Sequence, residues 1–316
     1  MQSDEPDRSH PPRGRIAESM LSHSQLARDY FAFLTRVDPV ERWEELVALE
    51  EPLQTGKQHP DQALKEKVLH DYFPSLVHTV ADAKNYDAMA MSLGFRYAWS
   101  RLDMHAHLLD AMEKFFGSER PALVFEPGCF CSGLGHFLPE HWGITYAGLD
   151  MSPAAMDVYR MLAKANGIGK ALNLFSGNFL QLTTEQFRRM VTVPMERTVV
   201  LLSNFISGTD KDWQIYPCLA QEACWFPYSA LIAYWVSAGA TVLLSERNGD
   251  PEWIAERINL WGRGFVPNLR CKTLSEFTTN ITSNMTPENP IGEWNRSEAF
   301  VMAVGDPAMS LGNWGG

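Results

Sequence analysis

Glu126 closes a short apolar run, LVFE (123 to 126), and Gly128, Gly133 and Gly135 follow it within nine residues. A second apolar run, ITYAGLD (144 to 150), closes on Asp150, 24 residues after the first acid. Glycine lets the backbone take positive φ and approach a bound group closely. An acid ending the neighbouring strand accepts hydrogen bonds from both hydroxyls of a ribose. These residue types at this spacing predict a nucleoside-bearing cofactor at the strand ends. The turn lacks the GxGxxG spacing of dinucleotide sites, and Glu126 stands two residues before the first glycine, where it would repel a pyrophosphate. An acid there suits a ligand with a cationic end.

The elements that must hold these groups differ between the two halves of the chain. From 121 onward, LVFE, ITYAGLD, ALNLF (171 to 175), TVVLLS (198 to 203) and TVLLSE (241 to 246) alternate with helical patterns. Runs that are apolar on consecutive positions imply strands covered on both faces, hence an α/β fold with a parallel sheet and helices on either side. A helix near 252 to 262 and a closing pair of strands, NLRCKTLS and SEAFVMAVG, complete this half. The aromatics from Trp225 to Trp235 have the spacing of a buried helix, with Pro227 near its start. Between about 20 and 117, apolar residues recur at helical spacing, as in Leu26, Tyr30, Phe33 and Leu34. The expected organisation is a disordered polar tail (1 to 20), a helical cap (21 to 118) and a Rossmann-like catalytic domain (119 to 316).

Glu126-Pro127-Gly128-Cys129 with Gly133 and Gly135, followed by Gly148-Leu149-Asp150-Met151-Ser152-Pro153-Ala154-Ala155-Met156, resembles the first two motifs of class I S-adenosylmethionine-dependent methyltransferases. With the strand order, the likeness covers roughly residues 120 to 305. It implies a doubly wound, mostly parallel seven-stranded sheet and S-adenosyl-L-methionine as cofactor. It also implies that the backbone at Gly128 faces the methionine portion while Glu126 organises the turn and the amino group. Asp150 would hold the ribose hydroxyls, Met151 would pack on adenine, and Asn178 and Phe179 would meet its edge and face. Ser203 and Asn204 would border the reacting centre. The chain departs from the family where Phe130 and Ser132 replace glycines, and where Asn178 replaces the usual acid. Two placements of Phe130 are open. Its ring either walls the cofactor's sulfonium, a contact worth about 0.5 to 2 kcal/mol, or turns into the core beneath the turn.

Methyl transfer to oxygen or nitrogen is an in-line displacement that needs alignment and sometimes a base. The stretch before the glycine turn carries Tyr86, Arg96, Tyr97, Asp103, His105 and His107. Arg96 or Tyr97 is a candidate for the cofactor carboxylate. Tyr97, His105 and Asn204 are the candidate catalytic residues, His105 or His107 because imidazole titrates near neutral pH. The H-x-H spacing puts the two histidines on different helix faces, and Cys129 and Cys131 have no matching second pair, so no metal is expected. The segment 203 to 217, with Asp210, Trp213 and Tyr216, and the loop 288 to 296, with Trp294 and Asn295, are candidates to line an acceptor pocket. His136 is expected to be structural.

With a net charge of −11 the chain is not expected to bind nucleic acid. No run is apolar and long enough to span a membrane, and five cysteines without an export signal suggest reduced thiols in a cytoplasm. A small-molecule substrate is expected, and the oligomeric state stays open, a homodimer among its forms. The leading expectation is methylation of a small metabolite in specialised biosynthesis. A second is a lyase or cyclase resembling nicotianamine or azetidine-2-carboxylate synthase, which uses the aminobutyrate arm and releases methylthioadenosine. A third is a cofactor-binding subunit without turnover.

Overall fold

Strands with apolar side chains on both faces need a helical layer above and below, and the chain supplies both. The computed structural model describes residues 20–37, 101–130, 132–150, 152–165, 172–177, 182–203, 222–247, 250–283 and 293–315. Among these, seven strands form one sheet: β1 (Leu123–Pro127), β2 (Thr145–Asp150), β3 (Leu172–Ser176), β4 (Thr198–Ser203), β5 (Thr241–Arg247), β6 (Arg270–Ser283) and β7 (Glu293–Gly305). Their order is β3-β2-β1-β4-β5-β7-β6, with β7 antiparallel to both neighbours and the other pairs parallel. The order reverses between β1 and β4, the place where open α/β sheets bind ligands at the strand C-termini.

Alternation along each strand divides the interior into two cores. Val124 packs with Tyr146, Leu174, Val199 and Leu201 on one face, while Leu123 and Phe125 pack with Ala147, Leu149, Val200 and Leu202 on the other. The first face is covered by α1 (Gln25–Val37), α2 (Leu102–Phe116), α3 (Leu134–Trp142) and α4 (Pro153–Ala165). The second is covered by α5 (Thr184–Met190), α6 (Glu222–Ser237) and α7 (Pro251–Gly262). Local chemistry starts two of these helices. Thr183 and Gln186 form a capping box at α5, and the Asp250 carboxylate accepts the amides of Glu252 and Trp253 ahead of Pro251 at α7.

The described part of the N-terminal half is a layer of this body. Leu26, Tyr30 and Leu34 of α1 and Leu108, Leu109 and Met112 of α2 share one core with the strands, and so does Met20, which the sequence places in the tail. Three other expectations change in detail. The closing strands run well beyond NLRCKTLS and SEAFVMAVG, so Trp294 and Asn295 lie in the ladder, in register with Thr282 and Ile281, and not in a loop. Pro227 falls inside α6 and not near its start. In the same helix Trp235 is buried as expected but Tyr234 is 49% exposed.

Candidate functional site

Gly128, Phe130 and Gly133 all have positive φ (73°, 41° and 78°), so the chain folds sharply back over the ends of β1 and β2. Phe130 is the one non-glycine residue in that region among those described. The Gly128 and Cys129 amides donate to the Leu149 carbonyl at 2.7 and 3.2 Å, and the Ser132 amide donates to the Cys129 carbonyl at 3.0 Å. Gly135, in the first turn of α3, serves packing: a Cβ there would stand 2.4 Å from the Tyr146 ring. A missing side chain thus brings α3 down onto β2. The Phe130 ring is buried and belongs to the core that the sheet shares with α1 to α4.

Beneath the turn lies a buried polar chain. The Tyr146 hydroxyl (2.5 Å) and the Ser132 hydroxyl (3.0 Å) both donate to Oε2 of Glu126. The Tyr159 hydroxyl accepts the Gly135 amide at 3.0 Å and lies 3.4 Å from Ser132 Oγ. On the far side, the Tyr30 hydroxyl donates to the Ser132 carbonyl at 2.8 Å and meets His105 Nδ1 at 3.0 Å. With the tyrosine proton on the carbonyl, His105 donates Nδ1–H to the tyrosine oxygen. Helices α1 and α2 therefore reach the glycine turn through hydrogen bonds.

Burial sets the ionisation of these groups. Loss of water raises the Glu126 pKa to about 7; the Tyr146 and Ser132 hydrogen bonds oppose the rise and the Asp150 charge adds to it. Among the described residues both donors to Glu126 fall on Oε2, which leaves Oε1 for a donor from a ligand. Burial, with a smaller push from Arg101, lowers the His105 pKa to about 3, so the ring is neutral and its Nδ1 is engaged with Tyr30. This placement gives His105 a positioning contact with the turn; a group so weakly basic is poorly suited to abstract a proton near neutral pH. His136, 0% exposed and bonded through Nε2 to the Tyr159 carbonyl, is likewise held neutral by burial, with a pKa of about 4.

Asp150, at the end of β2, is 7% exposed. Its Oδ2 accepts the Phe130 amide at 3.0 Å and its Oδ1 the Ser152 amide at 2.9 Å. Ser152 in turn caps α4, its hydroxyl accepting the Ala155 amide. The first acid and the second are thus joined through the turn. Ser203 ends β4, partly buried. Arg96, Tyr97, Met151, Asn178, Phe179 and Asn204 lie outside the described residues, as do Asp210, Trp213 and Tyr216.

Tyr30, Tyr146 and Tyr159 are the residues of the polar chain whose hydroxyls sequence reasoning passed over. The available signal was a tyrosine hydroxyl at position 146, in the strand TYAGLD, two residues before Gly148. A surface groove lined by Glu256, Asn259 and Leu260 of α7 and by Arg263 just after it contains none of these groups. The arrangement presents one carboxylate able to take a cationic donor and a second that orders the turn.

No family model and no curated protein matches the sequence. Among solved structures, one described for the conversion of a disulfide bond into a thioacetal group during echinomycin biosynthesis is 18% identical, over 58% of this chain and 75% of that one, with a TM-score of 0.36. An RNA methyltransferase from Salinibacter ruber in complex with S-adenosyl-L-homocysteine is 9% identical, over 58% and 82%, with a TM-score of 0.31. Geranyl diphosphate methyltransferase in complex with GPP and sinefungin is 13% identical, over 64% and 80%, with a TM-score of 0.36. Likenesses this slight carry no weight for activity. The Rossmann-like architecture stands on the chain's own strand order.

Proposed function

We propose that the protein is an S-adenosylmethionine-dependent methyltransferase acting on a small metabolite. The observation that carries this reading is the pairing of Glu126 and Asp150 across the glycine turn. One carboxylate is buried under the turn with an oxygen left for a cationic donor, and the other sits at the next strand's end. A sulfonium nucleoside has the matching ends: an ammonium for Glu126 and ribose hydroxyls for the carboxylate of Asp150 at the end of β2. When bound, that cofactor supplies an electrophilic methyl group. The chain's part is to align it. Asp150 takes the nucleoside's ribose, Glu126 anchors the amino-acid end, and Ser203 stands at the β4 end beside the reversal of strand order. Tyr97 and Asn204 are assigned to orienting the acceptor, and Arg96 to the cofactor carboxylate.

The acidic balance of the chain favours a neutral or cationic metabolite over a nucleic acid as acceptor. Mass spectrometry of the purified protein with S-adenosylmethionine and extracts of small metabolites tests the reading. S-adenosylhomocysteine together with a methylated product is expected. Methylthioadenosine would replace methyl transfer with chemistry on the aminobutyrate arm, and no turnover of the cofactor in any extract would contradict an enzyme of either kind.

A further inference from the structure

The outward side of α2 holds a second cluster that shares no residue with the glycine-turn site. His105 points inward to Tyr30, whereas His107, two residues on, stacks on Phe277 of β6 with ring centroids 3.9 Å apart. His23, in the turn before α1, meets the His107 ring edge to face at 4.7 Å. Asp103 stands four residues before His107, on the same helix face, with its Oδ1 4.0 Å from His107 Nε2. One ligand atom from each of His23, Asp103 and His107 lies within 4.8 Å of the other two.

We propose that His23, Asp103 and His107 form a binding site for one divalent transition-metal ion of the zinc class. Two imidazoles and a carboxylate suit such an ion, and three protein ligands leave a position for water. The outer contacts are also in place. Asp110 Oδ2 lies 2.7 Å from His23 Nδ1, and its other oxygen accepts the Ser24 amide at 2.8 Å. A carboxylate that takes Nδ1–H leaves the Nε2 lone pair to face a metal, the arrangement that orients most ligating histidines. Phe277 fixes the plane of the other ring. The side chains acting on His107 are the acids Asp103 and Asp110 and the bases His23 and Lys114. Access is graded: the side chain of His23 is 9% exposed, that of His107 26% and that of Asp103 46%. Bonds near 2 Å put tetrahedral ligands about 3.3 Å apart. The half-exposed Asp103 has the freedom to close the remaining gap.

Cobalt(II) titration of the full chain, stripped with chelator, tests the site. Wild type is expected to develop saturable visible absorption at one ion per chain, displaced by zinc. His107→Gln, which keeps a side chain against Phe277, and Asp103→Asn should each weaken binding by about tenfold or more, and Asp110→Asn by about tenfold through His23. His141→Asn should bind as wild type. Circular dichroism confirms that each variant is folded, and exposed Asp103 gives a result even where a change at His107 unfolds the chain. Absence of a saturable cobalt spectrum in wild type, or undiminished binding by folded Asp103→Asn, would overturn the proposal.

Discussion

Phe130 and Glu126 each sit where elementary preferences oppose their residue type, and the opposing magnitudes decide what substitution does. A left-handed backbone costs a side chain about 1 to 2 kcal/mol, whereas losing a buried phenylalanine side chain costs about 3 to 5 kcal/mol. Phe130→Gly relieves the first and incurs the second, so a net loss of about 2 kcal/mol is expected in urea unfolding; an increase in stability would mean that the ring contributes no packing. Glu126 works the other way. Its folded pKa of about 7 lies above the ordinary 4.5, so the folded chain holds a proton that the unfolded chain has released. Stability from this group therefore falls as pH rises from 4.5 to 7. Glu126→Gln should remove the fall and stabilise the protein at pH 8 by about 3 kcal/mol. Guanidinium unfolding at pH 5 and pH 8 reads the difference, and an equal effect at both values would contradict it. That a glycine turn follows the first acid was legible from spacing alone. The role of Ser132 as a donor to Glu126 was not, because only the folded turn brings positions 126 and 132 together.

Packing between α3 and β2 is what holds the polar chain in place. Gly135→Ala would push a methyl group into the Tyr146 ring, and overpacking of this kind costs about 1 to 3 kcal/mol. The displaced Tyr146 hydroxyl would also leave Glu126 with one donor fewer. Thermal unfolding of Gly135→Ala should show that loss, and wild-type stability would sink the close-packing account. Strands β1 to β5 were readable because runs apolar at every position can only be covered on both faces. The lengths of β6 and β7 were not. Their outer halves, such as TTNITS and EWNRS, are polar and depart from a buried-strand pattern, and it is their antiparallel pairing that carries the ladder to Ser283 and Glu293. Tyr30 read as one apolar position of a helix. Its hydroxyl gained a function only when α1 packed against the turn.

The buried titrating groups together give the molecule a pH profile. His105 and His136 have folded pKa values of about 3 and 4 against the ordinary 6.5, so the unfolded chain takes up protons that the folded chain refuses. Each removes about 1.4 kcal/mol per pH unit as pH falls below 6.5, and Glu126 returns about the same amount per unit down to 4.5. Stability from these three groups therefore peaks near pH 6.5 and declines on the acid side by about 1.4 kcal/mol per unit. Denaturant melts from pH 5 to 8 check this, and a steady gain in stability down to pH 5 would contradict it. The plan of a sheet between two helical layers was legible as alternating texture. That α1 and α2 share a core with the sheet was not, since helical periodicity says which face is apolar but not what covers it. The central claim is that Asp150 and Glu126 hold a nucleoside across the ends of β1 and β2. Calorimetric titration with S-adenosylhomocysteine tests it most directly. Wild type should bind one molecule per chain, and Asp150→Ala should weaken binding by about tenfold or more, the loss of a charged acceptor. No binding by wild type, or equal binding by both, would contradict the account.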